Sequence, residues 1–77
     1  MIEEALKRLN SQFDEKDEVE FEDERGDGRH FRARIVSDQF EGLSRVKRHQ
    51  KVYKVLEGLI GDGKIHAIRL DLKTHSE

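Results

Sequence analysis

Residues 18–35, EVEFEDERGDGRHFRARI, decide how the rest of the chain is to be read. Val19 and Phe21 alternate with Glu18, Glu20, Glu22 and Glu24, and Phe31, Ala33 and Ile35 alternate with Arg32 and Arg34. A period of two is that of a strand with one buried face. Between the two runs, Arg25 to Arg29 carries two glycines, the residues that most readily accept the positive φ of a tight turn. Parity then sets the register. If residue i faces residue 54−i, Val19 meets Ile35, Phe21 meets Ala33, Glu20 meets Arg34 and Glu22 meets Arg32. One face is apolar and the other pairs opposite charges across the strands. A slip of one residue would mix the two faces, so the hairpin must have an odd-length loop.

Working outward, Ile2, Ala5, Leu6, Leu9 and Phe13 recur at helical spacing, with Glu3–Lys7 and Glu4–Arg8 as i,i+4 pairs in the favourable order. The spacing predicts a helix over about residues 2–11. On the other side, Ser44 is placed to cap a second helix. Its apolar positions are Val46, His49, Val52, Tyr53, Leu56, Leu59 and Ile60, which carries it to about residue 60, with an early break left open, and Gly61-Asp62-Gly63 would stop it. Residues 65–72 alternate again, with Ile68, Leu70 and Leu72 opposite Arg69 and Asp71. The order is α-β-β-α-β, an α+β fold. A right-handed crossover sets the third strand parallel to the second, and the helices cover one face of a three-stranded mixed sheet.

The chain of 77 residues reads as one domain, residues 1–77, with a thin core. At 34% hydrophobic and 42% charged its composition approaches the disordered class, and it is the regular spacing of the apolar residues that argues for a fold. Cysteine is absent, so neither a disulfide nor a thiolate nucleophile nor sulfur ligation of a metal is open to the chain alone. Nothing apolar approaches the roughly 18 residues of a membrane span, and a cytoplasmic protein without membrane contact is expected. Charge is unevenly spread: residues 14–24 hold eight acids and one lysine, residues 45–54 five bases and no acid.

Residues 58–64, GLIGDGK, look like a phosphate-binding loop, but Ile65 stands where a hydroxyl residue is needed and the segment joins helix to strand. No Ser, His and acid can be placed together, and an enzyme is not expected. Of the four histidines, His49 lies by the apolar stripe of the second helix, His66 shares the parity of Ile68, and His30 follows the hairpin loop. By spacing alone each reads as structural or exposed, and His75 as part of the tail. The basic run Arg45, Lys47, Arg48 and Lys51 is the strongest functional signal of composition, as a phosphate-contacting helix face, though the acidic hairpin opposes a nucleic-acid backbone.

Two stretches taken together are more specific. Residues 40–56, FEGLSRVKRHQKVYKVL, followed by residues 65–70, IHAIRL, combine a Phe-x-Gly, an Arg-His pair, a Val-Tyr-x-x-Leu run and a late Ile-His-Ala strand. This pattern resembles the BolA family, and the loop GDGRHF at 26–31 resembles its short-loop branch. The resemblance implies a fold related to class II KH domains. It also implies partnership with a monothiol glutaredoxin, with which BolA-like proteins share a [2Fe–2S] cluster in cluster trafficking or iron sensing. In that arrangement glutaredoxin and glutathione supply thiolates, and the BolA side supplies histidine. By position, His66 matches the late-strand ligand and His30 the loop ligand, and without its partner the chain is expected to hold no cluster. The resemblance carries an alternative, a DNA-binding regulator of stress or morphology using the helix at 44–54, and a homodimer remains open. Two departures stand out. Gly42-Leu43-Ser44-Arg45 lacks the second glycine of the KH loop, and Thr74-His75-Ser76-Glu77 replaces the Thr-Pro-x-Glu of many relatives, so their C-terminal helix is not expected.

Overall fold

The computed structural model describes residues 2–60, 65 and 67–77. Helix α1 spans Ile2–Gln12, strand β1 Glu18–Asp23, strand β2 His30–Val36, helix α2 Arg45–Val55 and strand β3 Ala67–Lys73. A single 3-10 turn, Asp38–Phe40, follows β2 and is capped by the Ser37 hydroxyl, which accepts from the Gln39 amide. The sheet order is β1-β2-β3, antiparallel between β1 and β2 and parallel between β2 and β3.

The hairpin register is the one parity demands: Val19 faces Ile35, Glu20 faces Arg34, Phe21 faces Ala33 and Glu22 faces Arg32. Phe21, Phe31, Ala33 and Ile35 are buried under the helices, and Val19, Ile68, Leu70 and Leu72 pack against them. On the opposite face Arg34 binds Glu20 at 3.0 Å and Glu18 at 3.3 Å, while Arg32 binds Glu22 at 3.3 Å and reaches Asp71 on β3 at 3.8 Å. The acidic run of β1 is therefore largely spent on the basic residues of β2.

Ala5, Leu9 and Phe13 bring α1 onto the sheet, and the Phe13 ring lies 5.6 Å from that of Phe40. The Phe40 side chain, fully buried, seals the end of the core that the 3-10 turn covers. Helix α2 contributes Val52, and Leu56 and Leu59 continue its buried line beyond the last helical residue.

Helix α2 shows the early break that the sequence leaves open and departs from expectation in its buried stripe. Its regular helix ends at Val55, and Leu56 to Ile60 continue as hydrogen-bonded turns in which the Leu59 and Ile60 amides both donate to the Leu56 carbonyl. Gly58, at φ +93°, takes the left-handed conformation that breaks the helix, so the first glycine acts before the expected Gly61-Asp62-Gly63, which lies outside the described residues. The buried stripe is also narrower than expected. Val46 is 63% exposed and Tyr53 42%, because the inward line runs through Val52 and Leu56, and residues six before or one after Val52 lie about 100–120° round the helix.

Candidate functional site

The hairpin loop is built by two aspartates. Asp23 closes β1 and accepts the amides of Gly26 (2.8 Å) and Gly28 (2.7 Å), one on each carboxylate oxygen. Both glycines have φ near +70°, which lets the chain curl round the carboxylate. Asp27, between them, accepts the Arg29 amide at 2.9 Å and the His30 amide at 3.1 Å on Oδ1. Its other oxygen lies 2.7 Å from His30 Nδ1. The backbone hydrogen bonds, that from Arg29 foremost, and the interaction with His30 hold the Asp27 carboxyl down to about 2, against the opposing effect of burial.

An ionised carboxylate only accepts, so His30 Nδ1 carries a proton and donates it. In the neutral ring the lone pair is then on Nε2. A carboxylate that fixes the tautomer and aim of an imidazole is the usual support for a histidine that ligates a metal through its other nitrogen. His30 opens β2 and is the strand partner of Ala67, whose amide donates to the Arg29 carbonyl at 3.1 Å. The loop is thereby joined to the start of β3. Ala67 follows His66 in the sequence, and His66, the other candidate ligand, lies outside the described residues. Among the described residues no group of three or more His, Cys, Asp or Glu could hold a metal, so His30 with Asp27 offers one donor and not a cage.

The four basic candidates divide. Arg45 and Lys47 are exposed and Lys51 is half-buried. Arg48 turns inward, with its side chain only 16% exposed. Its Nε donates to the Leu43 carbonyl (3.0 Å), Nη1 to the Leu72 carbonyl (3.3 Å), and its two Nη atoms bind the Glu77 carboxylate at 2.7 and 3.1 Å. That guanidinium is occupied in holding α2 to the end of β3. It lies four residues before Val52, on the inward side of the helix, which its charge hides from a composition reading. The Arg48 fork and the Thr74 amide together bring the Glu77 carboxyl down to about 2. The Thr74 amide bond to Glu77 Oε1, at 2.9 Å, has the form of half a capping box.

By its place in the sequence His75 is only part of the tail, yet its Nε2 lies 3.0 Å from Asp17 Oδ1 and its amide donates to Asp38. Ser37 donates to the other Asp17 oxygen at 2.9 Å, and the Asp14 amide donates there too. Serine and histidine both bind the aspartate rather than each other, so the trio is a structural tie and not a nucleophile with its base. His49 is half-buried, its ring 6.3 Å from that of Tyr53.

Comparison with known proteins agrees with this architecture. The family described as "BolA-like protein" matches residues 4–77. The chain is 40% identical over 53 residues to a BolA-like protein of Dictyostelium discoideum, covering 69% of this chain and 46% of that protein. It is 44% identical over 52 residues to the acid stress protein IbaG of Escherichia coli, covering 68% of this chain and 62% of that protein. The chain thus spans about half to three fifths of the length of these relatives. Among solved structures, BolA1 of Arabidopsis thaliana superposes with a TM-score of 0.86 at 34% identity, covering 99% of this chain and 93% of that one. The BolA domain of SufE1 from the same plant gives 0.85 at 34% identity, covering 97% and 92%.

Proposed function

Because the chain belongs to the BolA-like protein family, we propose that it acts as a histidine-donating partner in a [2Fe–2S] cluster shared with a monothiol glutaredoxin. The observation that carries this reading is the Asp27–His30 pair at the hairpin mouth, a carboxylate-oriented imidazole beside the start of β3. Its chemistry fits the shared assignment. A chain without cysteine needs thiolates from elsewhere, and glutaredoxin and glutathione supply them, while imidazole on one iron is established cluster ligation. His66, one residue before the strand partner of His30, is the principal donor and His30 assists it. The role of the chain is to bind, present the imidazoles and release, as an adaptor in cluster trafficking or iron sensing.

The test is to reconstitute the chain with a monothiol glutaredoxin, glutathione, iron and sulfide, and to record visible absorption and circular dichroism. The complex is expected to show mixed histidine and thiolate ligation. His66→Ala removes the histidine contribution, His30→Ala reduces it, and His75→Ala leaves it unchanged. A wild-type spectrum from the His30→Ala, His66→Ala double variant would overturn the assignment.

A further inference from the structure

Strand β3 is an edge strand, and its backbone polarity follows from two hydrogen bonds. Ala67 donates to the Arg29 carbonyl and Lys73 accepts from the Ser37 amide, so odd-numbered residues of β3 bond toward β2. The amides and carbonyls of Ile68 and Leu70, and the amide of Leu72, therefore point away from the sheet, where no further strand lies among the described residues. The Leu72 carbonyl on that side is taken by Arg48. Such an edge is a template for another extended chain.

The edge borders an open groove between α2 and the second half of β3. Leu43, Leu70 and Leu72 form its apolar floor, with Arg45 and Lys73 among its walls. Both of these cations are exposed and neither has a carboxylate within 4 Å among the described residues, although Lys73 is near enough to Glu77 to help hold its carboxyl down. Of the groove's two acids, Glu77 pairs with Arg48 within the groove wall and Asp71 with Arg32 across the sheet. The walls thus carry three cations against two acids, with Arg45 the cation furthest from compensation, beside a strand edge that both donates and accepts.

We propose that this groove docks an extended, acidic peptide segment of a partner protein, added as a fourth strand alongside β3. Main-chain hydrogen bonds to Ile68, Leu70 and Leu72 supply the register, alternate apolar side chains rest on the leucine floor, and carboxylates meet Arg45 and Lys73. A duplex nucleic acid satisfies the cations with its phosphates but, with its bases paired, does not offer the edge alternating donors and acceptors, and a single strand could do so only through its bases. The β3 leucines of the floor lie three and five residues along the strand from Ala67, the strand partner of His30, roughly 10–16 Å at about 3.3 Å per residue. The proposal does not depend on the cluster reading.

A fluorescein-labelled octapeptide alternating glutamate and valine, titrated into the intact chain and followed by anisotropy and by amide hydrogen exchange, tests it. Saturable binding is expected, with new protection at the Ile68, Leu70 and Leu72 amides. Arg45→Ala and Lys73→Ala are each expected to weaken binding by about two- to fivefold, as rim charges do, and Lys54→Ala, away from the groove, to leave it unchanged. Equal binding of the lysine–valine counterpart would overturn the proposal, as would protection confined to other residues. So would stronger competition by a single-stranded or duplex DNA than by unlabelled acidic peptide, or occupation of the β3 edge by a second copy of the chain in the absence of peptide.

Discussion

His75 Nε2 and Asp17 Oδ1 lie 3.0 Å apart, joining the turn after β3 to the loop that leads into β1. The Asp17 side chain is almost wholly enclosed. Burial alone would raise its pKa, but the hydrogen bonds from His75, the Asp14 amide and Ser37, with the His75 charge, together hold it below the usual 3.8. A carboxyl depressed in the folded state contributes stability that is complete above the unfolded value and is lost as pH falls through the folded value. Asp17→Asn is therefore expected to destabilise the chain at pH 7 and to differ progressively less from wild type as pH falls below 3.8. Urea denaturation at a series of pH values measures this, and a difference that grew on acidification would contradict it. His75→Ala is expected to cost about 1 kcal/mol at pH 7, the scale of a single hydrogen bond.

Leu56 is fully buried just past the end of α2, where it caps the helix and faces the sheet core. Truncation to alanine leaves a cavity that a chain of this size cannot absorb, and a loss on the order of 2–5 kcal/mol is expected. The midpoint and slope of a urea transition report it. Val46→Ala, on the exposed side of the same helix, is expected to change stability by less than about 0.5 kcal/mol.

The inward turn of Arg48 separates the basic residues of α2 by what they do. Duplex DNA binding, measured against salt, is expected to be weak and non-specific. Removing one phosphate-binding cation, through Arg45→Ala, Lys47→Ala or Lys51→Ala, should shallow the logarithmic slope by about 0.9 or less. Arg48→Ala is expected instead to loosen the packing of α2 on β3, with a lower unfolding midpoint and little change in salt slope. A slope change from Arg48→Ala with stability preserved would return that residue to the exposed cationic surface.

Asp27 is bonded to the Arg29 and His30 amides as well as the His30 ring. Asp27→Ala is expected to speed hydrogen exchange at those two amides and leave β1 and β2 otherwise protected. In the reconstituted complex it should broaden the histidine signature without abolishing it, since the imidazole remains but loses its orienting partner. Unchanged exchange at Arg29 and His30 would show that the loop does not depend on this carboxylate.

The hairpin was legible because parity has two solutions and only one keeps Val19, Phe21, Phe31, Ala33 and Ile35 on a single face. Helix α1 was legible because every buried position on it is apolar. Helix α2 was harder to read, since Arg48 sits on its inner side and Val46 and Tyr53 on its outer side, so apolar character and burial part company there. The loop histidine could be found by position, and the Asp27–His30 spacing of three was a usable local signal for its support. The Arg48–Glu77 and Asp17–His75 pairs join residues 29 and 58 positions apart, and no local pattern announces a side-chain pair at that distance.

Within the hairpin, partnered residues stand 8 to 18 positions apart, from Asp23–Phe31 to Glu18–Val36. Every pair between β2 and β3 spans 37 positions, from His30–Ala67 to Val36–Lys73. Loop-closure entropy favours the shorter spans, so the hairpin is the cheaper partnership to nucleate, and β3 can join only after the intervening helix has emerged and turned back. A nascent chain released before residue 73 would leave the β2 edge bare, with Phe31, Ala33 and Ile35 lacking their full cover. Truncation during synthesis is therefore a route to aggregation for this molecule.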